Sequence, residues 1–249
     1  VGRHRAYGWR RVRPMIRARV LAAATVLTVV GVLGFAPVAS AGESVHLPAN
    51  WENVGSALPG TVQSLVLHDG DLYAGGSFGT GFARWDKAAG VWTQLGTAGR
   101  QIYSLVSGPD GTLYAGGEKT VDGRDAPFVA TWSGTDWTDI GVGSSSGPPP
   151  NSGWVRTMAV TKDGHVYAGG IFTEMGGVEA SNLAVYDGSQ WSAAPGGIQV
   201  MMPVTSLAAG PDGTIYLGAL VLLNGGFGYA ASLSSGTWTL LNGLDYTCP

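Results

Sequence analysis

The sequence is poor in cysteine and in charge. It holds one cysteine, Cys248, in 249 residues, so no disulfide can form within the chain. Charged residues make up 12% of it, against a usual share of about 25%, and no helical periodicity follows residue 41. A disulfide-rich scaffold, a charged coiled coil and a nucleic-acid binder that depends on net charge are therefore excluded.

Acidic residues are absent from the first 41 residues, which hold seven of the fourteen basic residues. An apolar run at residues 20–36 and a small-x-small site at residues 39–41 follow this basic stretch. The order predicts a bacterial export signal over residues 1–41, cleavage after Ala41 and a secreted, extracellular product. The run has 17 residues, near the lower limit for crossing a bilayer, so an uncleaved membrane anchor is the alternative. Val1 and Met15 are both candidate translation starts.

Residues 42–249 carry seven basic and seventeen acidic side chains, a net charge of −10, and they are built from an internal repeat. Its centre is an aliphatic-Tyr-Ala-Gly-Gly run at residues 72–76, 113–117, 166–170 and, as Ile-Tyr-Leu-Gly-Ala, 215–219. Each copy follows an aliphatic-x-Ser/Thr-Leu/Met run, at residues 62–65, 102–105, 155–158 and 204–207. An Asp-Gly pair separates the two runs in every copy. This pair predicts a hairpin, because it tolerates positive φ between β-patterned runs.

Two further runs complete each copy. The third covers residues 82–85, 129–132, 183–186 and 230–233, and the fourth begins at Trp92, Trp137, Trp191 or Trp238. Such copies predict an all-β β-propeller of four recognisable four-stranded blades, with strands A to D running from the inside outward. We expect the blades at about residues 61–97, 100–141, 153–193 and 203–242 of a domain that covers residues 42–249. The Gly-Gly pair should allow a close approach or a bulge, and the strand D Trp should pack between blades.

One stretch makes the repeat recognisable. Residues 169–191 read Gly-Gly-Ile-Phe-Thr-Glu-Met-Gly-Gly-Val-Glu-Ala-Ser-Asn-Leu-Ala-Val-Tyr-Asp-Gly-Ser-Gln-Trp. This resembles the repeat of secreted bacterial propellers of the kelch and galactose-oxidase-like class, and a similar repeat occurs in fungal cortical polarity-marker proteins. The resemblance covers about residues 50–242 and implies the propeller fold, but no particular activity, since such propellers serve many functions. The fourth copy departs from it, with Ala219 for the second Gly and Leu233 for the strand C Trp.

A fifth copy of the strand D motif lies before blade 1, from Trp51 to Gly55. It predicts an extra N-terminal strand at about residues 50–56. A propeller usually closes when such a strand completes the last blade. Two interpretations stay open: a truncated propeller of five or more blades, or a four-bladed or open array in which the extra strand pairs irregularly. An open array would leave sheet edges available for self-association.

No catalytic or metal-binding pattern is recognisable. Strand A contains no Asp or Glu in any copy, so the carboxylate pair of a glycosidase is missing from its expected place at the channel. His46, His68 and His165 show no metal-ligand spacing. One terminal cysteine cannot supply the Tyr-Cys crosslink and histidine ligands of galactose oxidase. We therefore predict no catalytic residue, no metal and no cofactor.

Positions that vary between copies predict a binding surface. The D–A and B–C loops of such a propeller lie on one face, and the second residue of the strand A motif lies beside them. The candidates are Gln63, Tyr103, Arg156 and Thr205 at that second position, the neighbouring Trp154, and Lys119, Asp122 and Arg124 in a B–C loop at residues 117–127. Varied side chains on one rim suit recognition; the competing interpretation is a set of ordinary solvated loops.

These observations favour a secreted, non-enzymatic binding or scaffold module. We expect its partner to be an extracellular protein or a glycan, with no nucleic-acid partner and with membrane contact only through an uncleaved signal. Two alternatives remain, namely the propeller domain of an extracellular polysaccharide hydrolase and a truncated fragment without independent function. The odd Cys248 fits an intermolecular bridge, a free thiol or a missing partner cysteine.

The export signal predicts a defined mature N-terminus. The product recovered outside an expressing cell should begin at Gly42, because the small residues at 39–41 fit the signal peptidase rule. N-terminal sequencing of that product is the measurement. A first residue at Val20 or earlier would contradict cleavage.

Overall fold

The computed structural model describes residues 54–55, 57–96, 99–121, 124–145 and 153–241. Every regular element in these residues is a β-strand, and there are 19 of them. None of the described residues forms a helix that is long and apolar enough to cross a membrane. The predictions for residues 1–41, Trp51, Asp122 and Cys248 fall outside the described residues.

Blades 1 and 2 are antiparallel sheets whose strands follow one another in chain order. Blade 1 consists of β1 Gly60–His68, β2 Asp71–Phe78, β3 Phe82–Asp86 and β4 Val91–Gln94. Blade 2 consists of β5 Arg100–Ser107, β6 Leu113–Val121, β7 Arg124–Trp132 and β8 Trp137–Ser144. The β1–β2 turn is Asp69-Gly70, and both residues have positive φ, 51° and 84°, as the Asp-Gly signal predicts.

Blades 3 and 4 repeat this order with additions. Blade 3 consists of β9 Trp154–Val160, β10 Val166–Ile171, β13 Leu183–Tyr186 and β14 Trp191–Ala193. Between its B and C strands, β11 Glu174–Met175 and β12 Val178–Glu179 form a small hairpin that joins the outer edge of blade 2 through β8. Blade 4 consists of β15 Gln199–Val200, β16 Ser206–Ala209, β17 Ile215–Leu223, β18 Gly226–Ser234 and β19 Thr237–Leu240. The predicted all-β propeller fold is confirmed.

The second glycine of each Gly-Gly pair accommodates a β-bulge in strand A. The register between strands A and B shifts by one residue at Gln63, Tyr103 and Arg156, which have no partner of their own in strand B. A methyl group on the facing glycine, Gly117 in blade 2, would collide with the carbonyl oxygen of Gln101. Only a residue without a side chain lets the two backbones approach this closely.

The first glycine of each pair makes room for the next blade. A methyl group on Gly75 would lie 2.5 Å from Ile102 Cγ2, and one on Gly169 would lie 2.5 Å from Val204 Cγ1. Both Ile102 and Val204 begin the strand A motif of the following blade and are fully buried. Strand A of each blade therefore packs against the glycine backbone of strand B in the preceding blade. The hydrophobic core lies at these junctions.

A side-chain hydroxyl also links each blade to the next. Ser64 accepts a hydrogen bond from the backbone N–H of Leu105 at 2.9 Å. Ser104 accepts one from Met158 at 3.1 Å, and Thr157 accepts one from Leu207 at 3.1 Å. The Ser or Thr of the strand A motif is thus an inter-blade acceptor at all three junctions, a role that its place in the repeat did not reveal.

The strand D tryptophans lie between blades, as the repeat predicts. Trp191 donates its indole N–H to the carbonyl of Ile140 in blade 2 at 2.7 Å, and Trp238 donates to Pro195 at 2.7 Å. The glycine at the end of strand D leaves space for the ring, because a methyl group on Gly141 would lie 2.6 Å from Trp191 Nε1. The indole rings therefore close the outer side of each junction while strand A closes the inner side.

Removing a hydroxyl acceptor should destabilise the fold. Ser104→Ala leaves the buried N–H of Met158 without its partner, so we expect the free energy of unfolding to fall by about 1–3 kcal/mol. Ser206→Ala is the matched control, because Ser206 holds the same motif position in blade 4 but is exposed. Its effect should stay within about 0.5 kcal/mol. Urea unfolding measures both, and equal losses in the two variants would contradict the proposed role.

Candidate functional site

An open cleft of about 370 Å³ lies on the rim between blades 1 and 2. Three parts of the chain line it: the end of β2 with the start of the B–C turn of blade 1, the start of β5, and the end of β6. Its lining residues are Pro59, Ser77, Phe78, Gly79, Gly99, Arg100, Gln101, Glu118, Lys119 and Thr120. The D–A and B–C segments therefore share one face, as the sequence predicts.

The bulged residues of strand A reach this rim. Gln63 and Arg156 are exposed and Tyr103 is half-buried. Because a bulged residue has no cross-strand partner, its side chain can be re-aimed without breaking the sheet. Thr205 behaves differently, since its hydroxyl donates to the carbonyl of Gly218 at 3.1 Å. Its side chain is therefore used to hold strands A and B of blade 4 together.

Tyr103 and Arg156 come together across the junction of blades 2 and 3. The guanidinium carbon of Arg156 lies 5.8 Å from the centre of the Tyr103 ring, within cation–π range. The Tyr103 hydroxyl donates to Glu118 Oε1 at 2.9 Å. The three side chains present an aromatic face, a cation and a carboxylate beside the cleft. We call Tyr103, Glu118 and Arg156 the rim triad.

Lys119 belongs to an ion cluster instead. It donates to Asp139 in strand D of the same blade, and Arg100 also donates to Asp139, at 2.6 Å. The Arg100 guanidinium carbon lies 4.9 Å from the centre of the Phe128 ring. Partial burial raises the pKa of Asp139, but the hydrogen bonds and charges of Arg100 and Lys119 outweigh it, so its pKa lies below the ordinary value. Lys119 thus offers a ligand less free charge than the sequence suggests.

The other predicted site residues lie elsewhere. Trp154 is half-buried and pairs with Ile171 in the A–B ladder of blade 3. Asp122 falls outside the described residues, and of Arg124 the backbone alone is described, as the first residue of β7. The predicted loop at residues 117–127 is largely strand, because β6 and β7 extend to Val121 and from Arg124. The prediction of a loop was therefore wrong, although the β6–β7 hairpin does reach the rim.

Sequence reasoning missed Arg100, Gln101 and Asp139. Arg100 and Gln101 immediately precede the strand A motif, and this position could have marked them as rim residues. Asp139 has no comparable signal, because it lies 39 residues from Arg100 in sequence and on a strand, β8, that does not pair with β5.

The described residues show no arrangement for metal or paired-carboxylate chemistry. No group of three or more His, Cys, Asp or Glu side chains among them could hold a metal ion. Among the described residues that line the cleft, Glu118 is the single carboxylate. A glycosidase needs two carboxyl groups facing each other, and the described lining of this cleft supplies one of them.

The ion pairs of Asp139 should make the free energy of unfolding depend on pH in the acid range. Because the pKa of Asp139 is lowered in the folded chain, its pairs stabilise the fold above the unfolded-state value of about 3.9, and that stability is lost as the pH falls through the folded pKa. The stability difference between the starting chain and Asp139→Asn should therefore stay constant above about pH 5 and shrink below about pH 4. Urea unfolding at several pH values measures it. Asp71→Asn, at an exposed pair with Arg84, is the control, and an equally acid-dependent loss there would contradict this assignment.

Comparisons with known proteins add little to this description. No protein-family model matches the chain, and no curated protein matches it. Among solved structures, it is similar to one described as YCF48 bound to D1 peptide, with 14% sequence identity and a TM-score of 0.32. That match covers 78% of this chain and 72% of the other chain. A likeness of this size carries no functional argument, so the propeller assignment depends on the sheets described above.

Proposed function

We propose that this chain is an exported, non-enzymatic propeller of the kelch-like class that binds an extracellular glycan or protein through the rim triad and the adjoining cleft. The observation that carries this proposal is the shared bulge in strand A. The fold requires the bulge but does not require any particular side chain at it, and the chain places Gln, Tyr and Arg there in successive blades.

The chemistry of the triad favours a partner rich in hydroxyl or carboxylate groups. Arg156 is exposed and offers a planar set of N–H donors, which suits carboxylates and hydroxyl oxygens. The half-buried Tyr103 ring offers a face on which an apolar patch of a sugar or a side chain can stack. Glu118 adds a carboxylate acceptor. Together these groups fit the alternating polar and apolar faces of a glycan, and a polar protein surface fits them second best.

A polysaccharide hydrolase is less well supported. Glu118, the one carboxylate among the described residues that line the cleft, already accepts a hydrogen bond from Tyr103. General acid and nucleophile roles need two carboxyl groups with different environments. Binding requires only hydrogen-bond donors, acceptors and an aromatic face, and the rim triad has all three.

Substitution of the triad should weaken binding on a glycan array of bacterial and plant cell-wall oligosaccharides. We expect Arg156→Ala to reduce affinity for the retained glycans about tenfold or more, which corresponds to the loss of one charged hydrogen-bonding group. Tyr103→Phe keeps the ring but removes the hydroxyl that orients Glu118, so its effect should be smaller. Tyr103→Ala should match Arg156→Ala.

The matched control is Lys87→Ala, which removes an exposed positive charge between β3 and β4 of blade 1. It should bind as the starting chain does. If all four variants retain the same affinity, the glycan site lies elsewhere. If no glycan is retained at all, an extracellular protein becomes the favoured partner.

A further inference from the structure

We call the side of strand A that contacts the preceding blade the front face of a blade. Among the described residues, the front face of blade 1 lacks the full cover that blades 2, 3 and 4 receive. Leu65 is 58% exposed, whereas Leu105 and Leu207, at the same motif position in blades 2 and 4, are 5% and 8% exposed. Val62 is 40% exposed, whereas its equivalent Ile102 is fully buried. The described residues also place no hydroxyl on the N–H of Leu65. This face is therefore built for a junction that the described residues do not complete.

The back face of a blade is the side of its strand B that contacts the following blade. Among the described residues, nothing fully covers this face in blade 4. Tyr216 is 44% exposed, whereas Tyr114 and Tyr167, at the same position in blades 2 and 3, are 6% and 8% exposed. Ser206 holds the position of the inter-blade acceptors and is exposed. A methyl group on Gly218 would meet Ser206 of its own blade, whereas Gly169 faces the following blade. Blade 1 thus has an uncovered front face and blade 4 an uncovered back face, the two complementary halves of the junction that joins neighbouring blades elsewhere.

The outer part of the front junction is already occupied. Trp92 donates its indole N–H to the carbonyl of Val54 at 3.0 Å. Trp191 makes the same bond to Ile140, in strand D of the preceding blade. Val54 and Ile140 hold the same place in the Trp-x-x-aliphatic-Gly motif. The segment at Val54 therefore fills the place of a strand D, and a complete four-stranded blade would compete with it.

We propose that the two end faces bind one further three-stranded repeat unit, with strands A, B and C, whose strand D is the segment at Val54. Its strand A carries the aliphatic-x-Ser/Thr-Leu motif. Its Leu N–H donates to Ser206, and its Ser or Thr accepts from the N–H of Leu65. One such unit satisfies both faces and gives a five-bladed ring, within the range of four to eight blades known for propellers. This inference depends on the blade junctions and not on the proposed binding function.

The test supplies such a unit from the chain itself. Residues 97–132, which hold strands A to C of blade 2, are joined after Gly243 in place of residues 244–249. Leu65→Cys is then introduced into both chains, and the rate at which a thiol reagent labels it reports on the front face of blade 1. In the unextended chain, Cys248→Ser removes the one native thiol. We expect labelling to slow by about tenfold or more in the extended chain. The melting temperature should rise by about 5 °C or more.

Two controls make the outcome specific. Leu67→Cys should label equally in both chains, because its equivalent in blade 2, Ser107, stays exposed. An extension with Ile102→Lys and Leu105→Lys in the appended copy alone should lose both the protection and the rise in melting temperature. Unchanged labelling of Leu65→Cys in the extended chain would overturn the proposal, and so would a melting temperature no higher than that of the lysine control. Protection of Leu65→Cys in the unextended chain, with a dimeric mass by light scattering, would also overturn it, because a second copy would then cover the face.

Discussion

The junction between strand A of one blade and strand B of its predecessor is the constraint on which the structure depends. At each junction an aliphatic side chain lies on a bare glycine, and a Ser or Thr hydroxyl accepts a backbone N–H from the next blade. The glycine is needed because a single methyl group would overlap the neighbouring side chain, and well-packed interiors tolerate little added volume. The hydroxyl satisfies a backbone donor that faces the next blade and has little access to water. These two requirements explain why the repeat keeps the first glycine of the pair and the Ser/Thr position while other positions change.

The same junction links the fold to the proposed binding site. Strand A must bulge where it meets the second glycine, and the bulged residue is released from both the ladder and the core. Gln63, Tyr103 and Arg156 therefore occupy a strand A position at which packing does not select the side chain. The rim triad uses this freedom across a junction that the bond from Met158 N–H to Ser104 fixes. A preorganised aromatic–cation pair loses less conformational freedom on binding than two loops would.

How much could be predicted from the sequence depended on the range of each interaction. The four strands per blade, the Asp69-Gly70 hairpin and the inter-blade tryptophans follow from local patterns repeated along the chain, and the structure bears them out. The Asp139 cluster could not be predicted, because it joins strands from opposite sides of blade 2. The β11–β12 hairpin was equally hidden, since its partner β8 belongs to another blade. The rim position of Tyr103 and Arg156 was predictable, but their contact needed the twist and spacing of two blades. The ion pair between Lys119 and Asp139 likewise depends on the folded sheet.

The uncovered end faces bear on function as well as on stability. The rim triad lies at the junction of blades 2 and 3. The contact between Tyr103 and Arg156 is therefore fixed whether or not the two end faces are covered. Gln63 and Thr205, by contrast, lie on the blades that flank the open ends. A repeat unit between those blades would bring its own bulged residue next to Gln63, as Tyr103 lies next to Arg156. The proposed binding surface would then continue around the rim, and the rim triad would form one part of a longer site.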